Sequence, residues 1–190
     1  MSKYIITGGP GAGKTSLLTG LRQLQYSCHA EASRQLIIEE KEKGSGCLPW
    51  LDLPSFAIKV LARMITAFET AVDTKPAFFD RGIPDIVAYL KAAGLPVEDV
   101  YHRALEKYRY APTIFLLPPW EEIYVQDSER WQTFAEAAFL ADQIRTVYRQ
   151  AGYHIIELPL GSIQERIAFI QDSLAALSGM KKQLGNNTLV

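Results

Sequence analysis

One stretch constrains this chain more than any other: Gly8-Gly9-Pro10-Gly11-Ala12-Gly13-Lys14-Thr15, which fits the pattern G-x-x-x-x-G-K-[ST]. An apolar run, Tyr4 to Thr7, precedes it, and a stretch of helical period, Lys14 to Gln25, follows it. Four fixed positions match by chance in on the order of one chain in a hundred, before a strand and a helix are required on either side. The chemistry explains the spacing. Glycines let successive backbone N–H groups curl around a phosphate, and the N-terminus of the following helix adds partial positive charge. Lys14 reaches the β- and γ-phosphate oxygens, the Thr15 hydroxyl is placed to ligate Mg²⁺, and Ser16 follows it in the first turn. The expectation is a site for a nucleoside triphosphate, built from Gly8 to Ser16.

The rest of the chain agrees with the fold this motif demands. Short apolar runs at Tyr4 to Thr7, Ser27 to Ala30, Ala77 to Phe79, Thr113 to Leu117 and His154 to Leu158 alternate with helical stretches. Those helices are expected over Ser33 to Lys43, Pro54 to Asp73, Asp85 to Ala93, Phe134 to Ala151 and Ser162 to Leu177. Pro84 and Gly94 frame the fourth helix, and Ser162 with Glu165 forms a capping box on the last. Five parallel strands with helices on both faces place ligands outside the carboxyl ends of the strands. Neither a repeat nor a Gly/Pro/Ser linker divides the chain, so residues 1–178 read as one domain and residues 179–190 as a flexible tail.

Composition narrows the setting. Twenty Lys+Arg against 21 Asp+Glu gives a net charge of −1, with no overall basic field for nucleic acid. The two cysteines, Cys28 and Cys47, lie in no metal-binding or disulfide pattern. With no apolar run long enough for a membrane span or signal peptide, the expected setting is cytoplasmic, as monomer or homodimer, without nucleic-acid or membrane partners.

Further candidates follow the strands. Asp80 ends the third apolar run, where P-loop enzymes hold Mg²⁺ through water, and Arg81 comes next. The alternative places Asp80 as a turn cap and Arg81 as its surface partner. Glu31, just after the second strand, offers a base for an acceptor hydroxyl or a first-turn carboxylate for the next helix, with Arg34 one turn inward. Arg130 is the sole cation of Tyr124 to Thr133, in a lid region of about 120–134, and either closes over the γ-phosphate or pairs with Asp127 and Glu129. Trp50, Asp52 and Trp120 offer stacking and hydrogen bonds to an acceptor, or serve as packing anchors. Asp85 joins Glu31 and Asp80 among the carboxylates near the site. Arg145 and Arg149 either meet the nucleotide or complement a helix C-terminus. No N-K-x-D or T-K-x-D follows the fourth strand, which favours ATP over GTP, and Arg81 stands where many motor ATPases carry a second acid.

The ordered set Gly8 to Thr15, Glu31-Ala32-Ser33-Arg34, Pro49-Trp50-Leu51-Asp52, Asp80-Arg81-Gly82, Pro118-Pro119-Trp120-Glu121, Asp127 to Trp131 and Pro159 resembles the NadR-like P-loop ATPase/kinase family, from about Tyr4 to Asp172. The resemblance implies a three-layer α/β P-loop NTPase fold of adenylate-kinase type, with a parallel sheet of order 2-3-1-4-5 and a lid around Arg130. It also implies ATP with Mg²⁺, held at the metal by Thr15 and Asp80, and purine contacts near Pro159 and Gly161. The function expected is phosphoryl transfer from MgATP to a small nucleoside-like or metabolite hydroxyl, through Lys14, Glu31, Asp80, Arg81 and Arg130, with Arg34, Trp50, Asp52 and Asp85 toward the acceptor. A nucleotide-driven switch or ATPase is the alternative.

Overall fold

A computed structural model describes residues 2–71, 76–124 and 133–186, with side chains through 179. Its elements in chain order are β1 (Lys3–Gly8), α1 (Lys14–Gln23), β2 (Ser27–His29), α2 (Ala32–Lys43), α3 (Leu53–Thr70), β3 (Ala77–Asp80) and α4 (Ile83–Ala92). There follow α5 (Asp99–Lys107), β4 (Thr113–Leu117), α6 (Phe134–Gln150), β5 (His154–Glu157) and α7 (Ile163–Asn186). The five strands form one parallel sheet of order β2-β3-β1-β4-β5, as expected.

Side chains alternate across the central strands and give the molecule two cores. Ile5, Phe79, Ile114 and Leu116 pack under α2, α3, α4 and α6, whereas Tyr4, Ile6, Phe78, Phe115 and Leu117 pack under α1 and α7. Register then sets the position of the site. Ile6 pairs with Asp80 and Gly8 with Leu117, so the carboxyl ends of β3, β1 and β4 lie side by side at one edge.

Local chemistry fixes the helices. The Asp52 carboxylate accepts from Ser55 N at 3.1 Å and starts α3, with Pro54 in its first turn. Thr133 and Glu136 form the capping box of α6. On α7, Ser162 Oγ accepts from Glu165 N at 3.2 Å while Glu165 Oε2 accepts from Ser162 N at 2.7 Å, the box expected from sequence.

Two elements differ from expectation. The sequence pattern predicts no element over residues 95–112, yet α5 forms there and buries Tyr101 and Ala104. Also, α7 continues to Asn186, past Leu177 and into the stretch expected to fray. Among the described residues, no helix is long and apolar enough to cross a membrane.

Candidate functional site

The loop between β1 and α1 lies at the carboxyl edge of the sheet, and its glycines are required by contact and by backbone. Gly8 has φ 147°, and a Cβ there would stand 2.5 Å from Leu117 O. Gly13 has φ 89°, and a Cβ would press on Arg166 Nη1 at 3.3 Å. Lys14 is buried and folds back over the loop, donating to Gly8 O at 3.0 Å and Gly9 O at 2.9 Å. Burial, with Arg81 nearby, pulls its ammonium down to about 8.

Beside it stands a charged network. Arg81 donates through Nε to Glu31 Oε1 at 3.0 Å, and through Nη1 to Gly8 O and Asp85 Oδ1, both at 3.2 Å. Its guanidinium lies 5.4 Å from the centre of the Tyr89 ring. Arg81 holds φ 72°, a left-handed backbone that costs a non-glycine residue about 1–2 kcal/mol. These four contacts hold it there.

Asp85 is the acceptor at the centre of the network. Its carboxylate takes Thr7 Oγ1 at 2.5 Å and Tyr148 Oη at 2.5 Å, besides Gly82 N at 2.9 Å and Arg81. It therefore ties β1, the β3–α4 turn and α6 together. Glu31 accepts from Ser33 Oγ at 2.5 Å as well as from Arg81. Burial works to raise its pKa, but Arg81, Lys14 and these hydrogen bonds win and hold it at about 2.

Asp80 is different. It is buried, its Oδ1 has no hydrogen-bond partner, and burial lifts its carboxyl to about 6 against the pull of Lys14. A hollow of about 200 Å³ is lined by Asp80, Thr15, Glu31 and Arg34. An orphaned carboxylate oxygen in a hollow shared with the Thr15 hydroxyl fits a hard, oxygen-seeking cation. Among the described residues no cluster of three or more His, Cys, Asp or Glu forms a metal cage, so a cation here would draw the rest of its shell from phosphate and water.

A cavity of about 830 Å³ brings most of the expected residues together: Pro10, Gly11, Gly13, Lys14, Thr15 and Ser16 from the loop and its helix, with Glu31, Arg34, Trp50, Arg81, Asp85 and Gly161. Gly8, Gly9 and Ala12 are buried beneath it. Asp80 lines the smaller hollow instead. Asp52 and Pro159 line neither: Asp52 is exposed and spent on capping α3, and Pro159 gives its carbonyl to Arg166. Arg145 pairs with Asp142 at 2.5 Å and Glu157 at 2.6 Å. Arg130 lies outside the described residues.

Sequence reasoning missed Arg166. It is buried on α7, donates to Ala12 O at 3.1 Å and Pro159 O at 3.0 Å, and stacks 4.9 Å from the Trp120 ring centre. Its Nη2 is buried without a hydrogen-bond partner. One arginine on an amphipathic helix leaves no local signal, because its partner in the loop is 154 residues away.

Comparison with known proteins fits this geometry. A family model described as an AAA domain matches residues 3–166. No curated protein matches the sequence. Among solved structures, a deoxyadenosine kinase from M. mycoides is similar at 15% identity, with 92% of this chain and 99% of that one covered and a TM-score of 0.66. A thymidylate kinase from Ehrlichia chaffeensis has 17% identity, 92% and 100% coverage and a TM-score of 0.59. A shikimate kinase from Acinetobacter baumannii bound to shikimate has 14% identity, 95% coverage of both chains and a TM-score of 0.55. At these identities the likeness is one of fold. Loop, sheet order and matched length agree: the chain belongs to the AAA domain family, and its P-loop fold is the one those small-molecule kinases share.

Proposed function

We propose that this protein is a phosphotransferase that moves the γ-phosphoryl group of MgATP to the hydroxyl of a small nucleoside-like or metabolite acceptor. The observation that carries this reading is a cavity lined both by the phosphate loop and by the Glu31–Arg81 pair beside it. A nucleotide-driven switch would need the loop but not a carboxylate and an arginine lining the same cavity. The NadR-like resemblance and the kinase folds support the same reading.

The acceptor oxygen forms a new bond to the γ-phosphorus as the bond to the β–γ bridging oxygen breaks, and ADP leaves with that electron pair. The acceptor's proton passes to Glu31, which stays ionised through the neutral range because Arg81 and Lys14 hold it there. Lys14 and Arg81 stand beside the transferring group, where negative charge accumulates on its oxygens. Arg130 is assigned to the lid over the same group. Mg²⁺, when bound, offsets the charge of the β- and γ-phosphates, and Thr15 and Asp80 are the residues that would hold it. Trp120, Gly161 and Ser162 line the cavity where the base of the nucleotide is assigned.

The test is an acceptor panel of nucleosides, sugars, hydroxy acids and simple alcohols, read by ADP release and phosphorylated product. Acceptor-dependent release is expected. Hydrolysis indifferent to every acceptor would favour the switch.

A further inference from the structure

The acceptor compartment has a chemical character that the reaction class does not require. Phe56, Val60 and Met64 recur every fourth residue along one face of α3, Ile86 and Tyr89 face the cavity from α4, and Leu140 faces it from α6. Phe56, Val60, Met64, Ile86 and Leu140 are each 4–6% exposed, so what little surface they keep lies along the slot. None of those five has a hydrogen-bond donor. Lys14, Glu31, Arg34, Arg81 and Asp85 come from the loop, the start of α2 and the turn into α4; Arg166 comes from α7, Glu136 from the first turn of α6 and the Tyr89 hydroxyl from α4, so the stretch between Phe56, Val60, Met64, Ile86 and Leu140 is the apolar part of the lining. The slot is thus amphipathic along its length.

We infer that the acceptor is an uncharged alcohol with an apolar body, aryl or branched alkyl, that fills the slot between α3, α4 and α6 and delivers its hydroxyl to Glu31. This rests on the phosphotransferase reading and narrows it. A nucleobase or polyol in the slot would give up water at its polar edges and find no partner on α3, a loss that discriminates more strongly than a missing methylene. An apolar body instead gains affinity with every carbon it buries, about fourfold per methylene.

Binding and transfer are tested separately on the full chain. The chain holds three methionines, so methyl-¹³C-methionine labelling gives few resonances, and Met64→Leu assigns the one in the slot. Benzyl alcohol, 2-phenylethanol and 3-phenylpropanol are expected to shift the Met64 methyl saturably, with Kd falling about fourfold per added carbon. With ADP filling the nucleotide site, adenosine and shikimate are expected to shift the Met64 methyl with at least tenfold weaker Kd. Tighter binding of adenosine or shikimate, or no Met64 response to any alcohol, overturns the inference. The same compounds are then assayed with MgATP. Phosphorylation of the aryl alcohols supports both readings. Phosphorylation of adenosine or shikimate without that of the alcohols overturns the apolar acceptor and keeps the phosphotransferase. Saturation of Met64 by the alcohols with no phosphorylated product overturns the phosphotransferase and keeps the ligand class of the slot.

Discussion

Asp80 sits at the end of β3 with burial on nearly every side and a bare carboxylate oxygen, which is costly unless a ligand repays it. Its folded pKa, about 6, lies above the ordinary aspartate value of 3.8. The folded chain therefore binds this proton more tightly than the unfolded chain does. Its stabilising contribution is complete below about pH 4 and is lost as pH rises through 6. Asp80→Asn should consequently be more stable than the parent at pH 7, by a few kcal/mol, with the gap closing as pH falls toward 4. Urea denaturation at pH 4, 5.5 and 7 measures the gap, and a gap that widened toward acid would refute the account. The same substitution should remove most turnover, since a residue that costs stability while bearing a function is a common trade. Glu31 has the opposite sign: its folded pKa is lowered to about 2, so its contribution holds above about 4.5 and is lost as pH falls through 2.

At the scale of elements, α7 acts on a loop at the far end of the chain. Arg166 clamps Ala12 O and Pro159 O, joining the phosphate loop to the turn after β5. Arg166→Met keeps the stem's packing and removes both bonds, so it should lower stability by about 2–4 kcal/mol and leave the loop less well held. Titration of ATP should show affinity weakened about tenfold, and unchanged affinity would make the clamp purely structural. These elements also show what could be read in advance. The loop, the five strands and most helices were legible because their signals are local: glycines at fixed spacing, apolar runs, caps such as Ser162 with Glu165. The assembly of Glu31, Arg81 and Asp85 was legible in part, since each follows a strand and strands share an edge. The slot was not. Phe56, Val60 and Met64 have the period of a core-facing stripe, and that period is the same whether the face meets a packed neighbour or lines a cavity. Nor was α5, a nine-residue helix with two buried side chains and no side-chain cap.

Taken whole, the molecule should respond to its nucleotide as one cooperative unit. ATP at a hundred times its Kd stabilises by about 2.7 kcal/mol, which for a chain this long is a rise in Tm of about 5–10 °C. Lys14→Ala should abolish that rise in thermal denaturation, and a full shift in the variant would remove the loop from the site. Across the sheet, though, the molecule is not uniform. Tyr4, Ile6 and Phe115 meet α1 and α7 in one core, while Ile5, Phe79 and Leu116 belong to the other, beside the slot. The sheet is a wall between them. Substitutions on opposite sides share no partner, so their free energies should add, as for Ile170→Val on α7 combined with a change on α3. Pairs within the slot share both a cavity and its occupant, and their effects should not add. The chain can therefore revise what it binds in the slot while keeping how it holds the loop.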